Sequence, residues 1–190
     1  MRKRLDQILV IDVEATCWEG KPPEGQENEI IEIGLCALDV ASGDRSGRES
    51  FLVHPERSTV SPFCTGLTTL TQAQVDQGIP FDEACALLAK RFKAKERVWA
   101  SYGNYDRQQF ERQCQRHGIP YPFGPSHLNV KALLAVTLGL KAETGMAKAL
   151  QLLGIPLEGT HHRGGDDAWN IAAILGKLLL GGRQGVAITP

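Results

Sequence analysis

Two carboxylates, Asp12 and Glu14, interrupt the apolar stretch ILVIDVEATCW at residues 8–18. Alternate positions on an extended strand put both side chains on one face. Bare carboxylates are costly on a core face, whereas a divalent cation supplies the missing positive charge and takes hard oxygen ligands. The same D-x-E pattern also marks a plain strand end with two exposed acids, so by itself it decides nothing. Asp106 sits in SYGNYDRQQF, which reads as a strand-to-helix junction, in line with Phe110 and Cys114 at i+4 and i+8. An acid there serves either as a helix-dipole partner, worth about 0.3–1 kcal/mol, or as a metal ligand aimed at the sheet. Asp167 shares a helical stripe with Ile171, Ile174 and Leu178. Asp166, about 100° around the helix, falls with Asn170 and Lys177 on the wetter side. The functional acid is therefore assigned to Asp167, and Asp166 to a cap or helix-start role. His162 precedes Asp167 by five residues in the loop GTHHRGGDD, where flanking glycines leave the backbone free to move. A solvent-exposed histidine and a catalytic one both fit that position.

These side chains need a scaffold. The chain has 190 residues, 42% of them apolar, which suits one domain of ordinary size with a real core. Residues 7–15 read as a nearly continuous apolar strand covered on both faces, and CWEGKPPEGQENE as a loop rich in Gly, Pro and charge. Residues 30–40 and 48–55 supply a second and a third strand around the turn ASGDRSG, in an antiparallel meander. The pattern then becomes helical. TQAQVDQG opens with Thr71 and sets Gln74 at capping-box spacing. PFDEACALLAKRFKAK aligns Phe81, Cys85, Leu88 and Phe92 on one stripe. Residues 97–102 form a short strand, followed by the helix NYDRQQFERQCQRHG, with Asn104 as N-cap and Gly118 as terminator. SHLNV is a last strand leading into KALLAVTLGL, and GMAKALQLLG and DDAWNIAAILGKLLL are two more helices. The expected fold class is α/β, a central mixed sheet with its first three strands antiparallel and helices packed on it.

Composition narrows the function classes. A net charge of −1 argues against a broad basic face that coats long nucleic acid, yet permits a small site for one strand end. Cys17, Cys36, Cys64, Cys85 and Cys114 form no CxxC pair and read as reduced core residues rather than a zinc ribbon or disulfide framework. No apolar run approaches the roughly 20 residues of a membrane helix. The basic start MRKRLDQ is not followed by a signal-type apolar region. The protein is expected in the cytoplasm.

Taken together, Asp12-x-Glu14, Asp106 at its junction and His162-x4-Asp167 resemble the DEDDh group of 3′–5′ exonucleases. DVEATCW, NEIIEIG, HPERSTVSPFCTGLTTLTQAQVD and LEGTHHRGGDDAWNIAAIL are similar to the enhanced-RNAi and histone-mRNA 3′-exonuclease branch and its bacterial relatives, over roughly residues 6–180. The resemblance implies a ribonuclease-H-like fold and a single exonuclease domain at 1–190, with its core at about 6–180. It also implies two Mg²⁺ or Mn²⁺ ions held by Asp12, Glu14, Asp106 and Asp167. Paired ions about 3.5–4 Å apart serve both the attacking and the leaving oxygen of a phosphodiester, and His162 would take the proton of the attacking water. The expected substrate is the 3′ end of single-stranded RNA, with DNA as the alternative, and the product a nucleoside 5′-monophosphate. Phe63 and Tyr105 are expected to stack on terminal bases, with either ring alternatively core. Backbone groups of Ala15 and Thr16 are expected to meet the terminal ribose. Arg107 and Arg163 meet phosphate or remain solvated surface charges. Trp18, Trp99 and Trp169 read as packing residues, with Trp18, in a polar loop, the exception to test. The eukaryotic relatives carry extra RNA-binding segments for which this chain leaves no room, which speaks against a structured target such as a histone stem-loop. A ribonuclease-H-type endonuclease and a catalytically dead binding module are the rival readings; the His162-x4-Asp167 spacing opposes the first and the full catalytic set the second.

Overall fold

The computed structural model describes residues 4–183. Its strands are β1 (Arg4–Ala15), β2 (Ile30–Asp39), β3 (Arg45–Leu52), β4 (Arg97–Ser101) and β5 (His127–Asn129). Its helices are α1 (Pro62–Thr68), α2 (Gln72–Val75), α3 (Phe81–Arg91), α4 (Tyr105–His117), α5 (Val130–Thr137), α6 (Met146–Leu153) and α7 (Gly164–Arg183). The strands form one sheet of order β3-β2-β1-β4-β5. β1 pairs antiparallel with β2, and β2 with β3, while β4 runs parallel to both β1 and β5. This is the mixed sheet expected, with three antiparallel strands first.

The central strand is apolar on both faces because both are covered. Ile8 and Val10 pack with Leu134, Met146, Leu150, Ile171 and Ile174 from α5, α6 and α7. Leu9, Ile11 and Val13 pack on the other face with Phe81, Leu88, Trp99 and Phe110. Asp12 and Glu14 thus continue the face that α7 covers. Helix α7 reaches that face through glycine: a Cβ added at Gly34 would lie 1.8 Å from the carbonyl carbon of Gly164. Only a residue without a side chain lets the helix start touch β2 there.

Several details depart from the sequence reading. β3 begins at Arg45 rather than 48, because Asp39 accepts hydrogen bonds from the Ala41 and Ser42 amides and turns the chain tightly enough for Arg45 to pair with Leu38 at once. Residues 62–68 form α1, a helix not assigned from sequence although Ser61 caps it and Pro62 opens it. Asn104 occupies the N-cap position of α4 but makes no side-chain cap, since its φ of −112° and ψ of −5° are not the extended backbone that capping requires. Asn170 is fully buried rather than on the wet side. Its amide is enclosed by the loop before α7, donating to the Glu158 carbonyl and accepting from the Glu158 N–H. The Thr71–Gln74 capping box is present as expected. Among the described residues all five cysteines are free, and no helix is long and apolar enough to cross a membrane.

Candidate active site

Parallel β1 and β4 end at the same edge of the sheet. Their pairing stops at Val10 and Ala100, so the later N–H groups on that side of β1 need other acceptors. Asp106 supplies one from the first turn of α4: its Oδ1 accepts the Val13 N–H at 2.9 Å. The Ser101 hydroxyl at the end of β4 lies close enough to lower the pKa of this carboxylate. Asp167 arrives from the opposite side on α7, held close by the Gly34–Gly164 contact. Asp12, Glu14 and Asp167 each bring one carboxylate oxygen to within 4.8 Å of the other two. With Asp106 and His162 they line a cavity of about 280 Å³, together with Tyr102, Tyr105, Lys131 and His161.

The electrostatics of this cavity are unbalanced. Burial raises the Asp12 pKa well above the usual carboxylate range, with Asp106, Glu14, Asp167 and Glu32 adding repulsion. Burial, then Asp167, Glu32 and Asp106, push Glu14 up to about 8. Asp106 rises to about 6 through burial, opposed by the Val13 N–H it accepts and by the nearby Ser101 hydroxyl. Asp167 is also raised by burial, although His161 and the His162 amide oppose the shift. Burial and the neighbouring His161 lower the His162 pKa, against Asp167. The imidazole is therefore neutral near pH 7, the state in which it accepts a proton. A cluster of hard oxygen donors with no matching cation is the donor set that Mg²⁺ or Mn²⁺ satisfies, so the residues present fit divalent ions.

The remaining predicted residues are distributed more widely. Tyr105 stands at the cavity with its ring about half exposed, 48%. Phe63 is exposed on α1, outside the cavity lining, next to Cys64, whose thiol contacts the Ala15 carbonyl. Ala15 is buried at the end of β1. Thr16 is fully buried, and its polar groups are engaged by the 27–29 segment: its N–H donates to Glu29 O, its carbonyl accepts from Asn28, and its hydroxyl donates to Glu27 O. Arg107 pairs with Glu111 at 2.8 Å and lines a different cavity, of about 350 Å³, beside Trp99 and His127. Arg163 pairs with the buried Glu32 through Nε and Nη2 at 3.2 and 2.9 Å. Trp99 is core, and Trp169 lies beneath the Arg45 guanidinium at 4.2 Å from its ring centroid. Asp166 accepts from the Thr160 N–H and from Arg48, and so fastens the loop ahead of α7.

Glu32 and His161 escaped the sequence reading, as did the lining residues Tyr102 and Lys131. Glu32 lies directly across the strand pair from Glu14, and the signal for it was the one that exposed Asp12: an acid inside an apolar strand. His161 bonds the Asp167 carboxylate through Nδ1 at 3.0 and 3.1 Å; its signal was the histidine doublet.

The profile of the Exonuclease (RNase_T) family matches residues 9–175. The chain is 34% identical over 188 residues to 3′-5′ exoribonuclease 1 of Rattus norvegicus, a match that covers 93% of this chain and 54% of that protein. It thus spans about half the length of that curated relative. It is 30% identical over 167 residues to the probable 3′-5′ exonuclease KapD of Bacillus subtilis, covering 86% of this chain and 80% of that one. The crystallographic structure of the nuclease domain of 3′hExo, described as a DEDDh family member bound to rAMP, superposes with a TM-score of 0.83 at 30% identity, over 100% of this chain and 99% of that one. The mixed sheet and its helices are those of the ribonuclease-H-like fold.

Proposed function

The chain belongs to the Exonuclease family, and from that premise we propose that it is a metal-dependent 3′–5′ exonuclease. It removes nucleotides from the 3′ ends of single-stranded nucleic acid, RNA in preference to DNA, and releases nucleoside 5′-monophosphates. The observation that carries this reading is the convergence of Asp12, Glu14, Asp106, Asp167 and His162 on one cavity. The exoribonuclease names of relatives support the RNA preference.

Asp12, Glu14, Asp106 and Asp167 would hold Mg²⁺ or Mn²⁺. When bound, the ions supply Lewis acidity and the positive charge that relieves both the carboxylates and the phosphate. His162 accepts the proton of the attacking water, for which its neutral imidazole is suited. Asp167 accepts the His162 backbone N–H at 2.9 Å and so steadies the base that precedes it. Tyr105 stacks on the terminal base, an interaction worth about 1–3 kcal/mol and tolerant of base identity, and Phe63 on α1 extends the platform. The ribose contact falls to backbone groups at Ala15, since those of Thr16 are engaged by the 27–29 segment. A contact to the 2′-hydroxyl favours RNA.

Matched single-stranded RNA and DNA oligomers, labelled at the 5′ end, test the reading in Mg²⁺ and in Mn²⁺. The expected result is a ladder that shortens from the 3′ end, faster for RNA, and stops when that end is blocked. Internal cuts in the blocked oligomer, or no hydrolysis with either ion, would overturn it.

A further inference from the structure

The loop that carries His162 holds a second histidine that the proposed reaction does not use. His161 Nδ1 lies 3.0 and 3.1 Å from the two oxygens of Asp167. Its ring stacks on that of His162, with centroids 4.0 Å and planes 19° apart. One donor atom from each of His161, His162 and Asp167 lies within 4.8 Å of the other two. Around a tetrahedral zinc ion with Zn–N bonds of about 2.0–2.1 Å, ligand atoms stand about 3.3 Å apart. The His161–Asp167 pair is already at that spacing. The remaining pairs close when the His161 ring, whose side chain is 39% exposed, turns out of its stack on His162 so that both in-plane lone pairs face one ion.

The ligand types point the same way as the distances. Two imidazoles and a carboxylate suit borderline-soft zinc, whereas Mg²⁺ takes oxygen ligands and holds its waters. Asp167 is common to this set and to the carboxylate set it forms with Asp12 and Glu14. An ion on the histidine side therefore draws one carboxylate away from the other centre. It also occupies the lone pair that His162 needs to accept a proton.

We propose that His161, His162 and Asp167 form a zinc site, different in its ligands from the all-carboxylate centre, and that its filling by Zn²⁺ shuts the nuclease off while Mg²⁺ is plentiful. The binding stands on the geometry alone; the inhibitory role rests on the exonuclease reading.

The full chain, in excess Mg²⁺, is titrated with Zn²⁺ against a chromophoric chelator, and with Co²⁺ read by visible absorption. The expected result is one Zn²⁺ per chain and an intense, tetrahedral-type Co²⁺ band. His161→Gln, folded by circular dichroism, is expected to bind zinc at least about tenfold more weakly, since losing a ligand costs no less than losing an outer-sphere partner. Unchanged zinc affinity in that variant, or a six-coordinate Co²⁺ spectrum in the wild type, overturns the site. In parallel, hydrolysis of labelled single-stranded RNA in Mg²⁺ is followed with and without micromolar Zn²⁺. Zinc is expected to abolish the wild-type rate and to spare that of His161→Gln relative to its own zinc-free rate. A wild-type rate untouched by bound zinc overturns the inhibitory role. Absence of hydrolysis without zinc overturns the exonuclease reading and that role together, and the binding data still decide the site.

Discussion

Buried acids occur in two regions of this sheet, and they are treated in opposite ways. Glu29 accepts three backbone N–H groups, from Glu56, Arg57 and Ser58, at 3.1, 3.0 and 2.7 Å. Glu32 accepts from Arg163, from the Gly164 N–H at 2.8 Å and from the Ser50 hydroxyl. Asp12 and Glu14 sit one strand away on β1 and accept no hydrogen bond from any described residue; they meet only other carboxylates and, at Glu14, the distant tempering of Arg163. Glu14 and Glu32 even face each other across the strand pair, an arrangement that is unfavourable between like charges. The protein neutralises one of the two with arginine and leaves the other for something it does not itself provide. The difference separates acids that hold the fold from acids that await a cation.

The largest effect expected from this contrast is on activity. Asp12→Asn should cost at least about 10³-fold in metal-dependent hydrolysis, the loss of several kcal/mol of charge stabilisation. Its melting temperature in chelator at neutral pH should stay the same or rise, because repulsion has been removed. A fall there would merge the two classes. Gly34→Ala comes next: the new methyl group meets the Gly164 backbone and should destabilise by about 1–3 kcal/mol or more. Because α7 must retreat, divalent-ion affinity measured by calorimetry should fall with it. Glu32→Gln should lower stability in denaturant titration by about 1.5–3 kcal/mol, the worth of hydrogen bonds to a charged group. The broadest effect is on pH dependence. The folded-state pKa of Glu14 is about 8 against an ordinary 4.5, and that of Asp106 about 6 against 3.8. Between these values the folded chain keeps protons that the unfolded chain has released, so raising the pH favours unfolding. Melting temperatures in chelator should therefore decline from about pH 4.5 to about pH 8, and saturating Mg²⁺ or Mn²⁺ should flatten the decline.

Local patterns made much of this molecule legible in advance. The alternation of side chains along the extended β1 and the inward stripes Asp106–Phe110–Cys114 and Asp167–Ile171–Ile174 each fix a side chain's direction from its own element. The gathering of the acids at one site was implied by the resemblance to the DEDDh group, not by these local patterns. What was not readable depends on partners far away in sequence. Arg163 read as a phosphate contact or a surface charge because its partner, Glu32, lies far away in sequence on β2. Thr16 looked available for a ligand until the 27–29 segment claimed its backbone. Asn170 was misplaced because helical periodicity cannot foresee a loop folding over one face. The Gly34–Gly164 approach carries no local signal at all, since either glycine alone resembles any other.

The loop that delivers the histidines is stitched to α7 at alternate amides. The N–H groups of Glu158, Thr160 and His162 donate to Asn170, Asp166 and Asp167 respectively. In hydrogen-exchange terms these amides borrow their protection from the helix, so they should exchange only when its first turns open. Loop and helix start would then appear as one cooperative unit by mass spectrometry, and the proton acceptor would be lost together with the last of the acids.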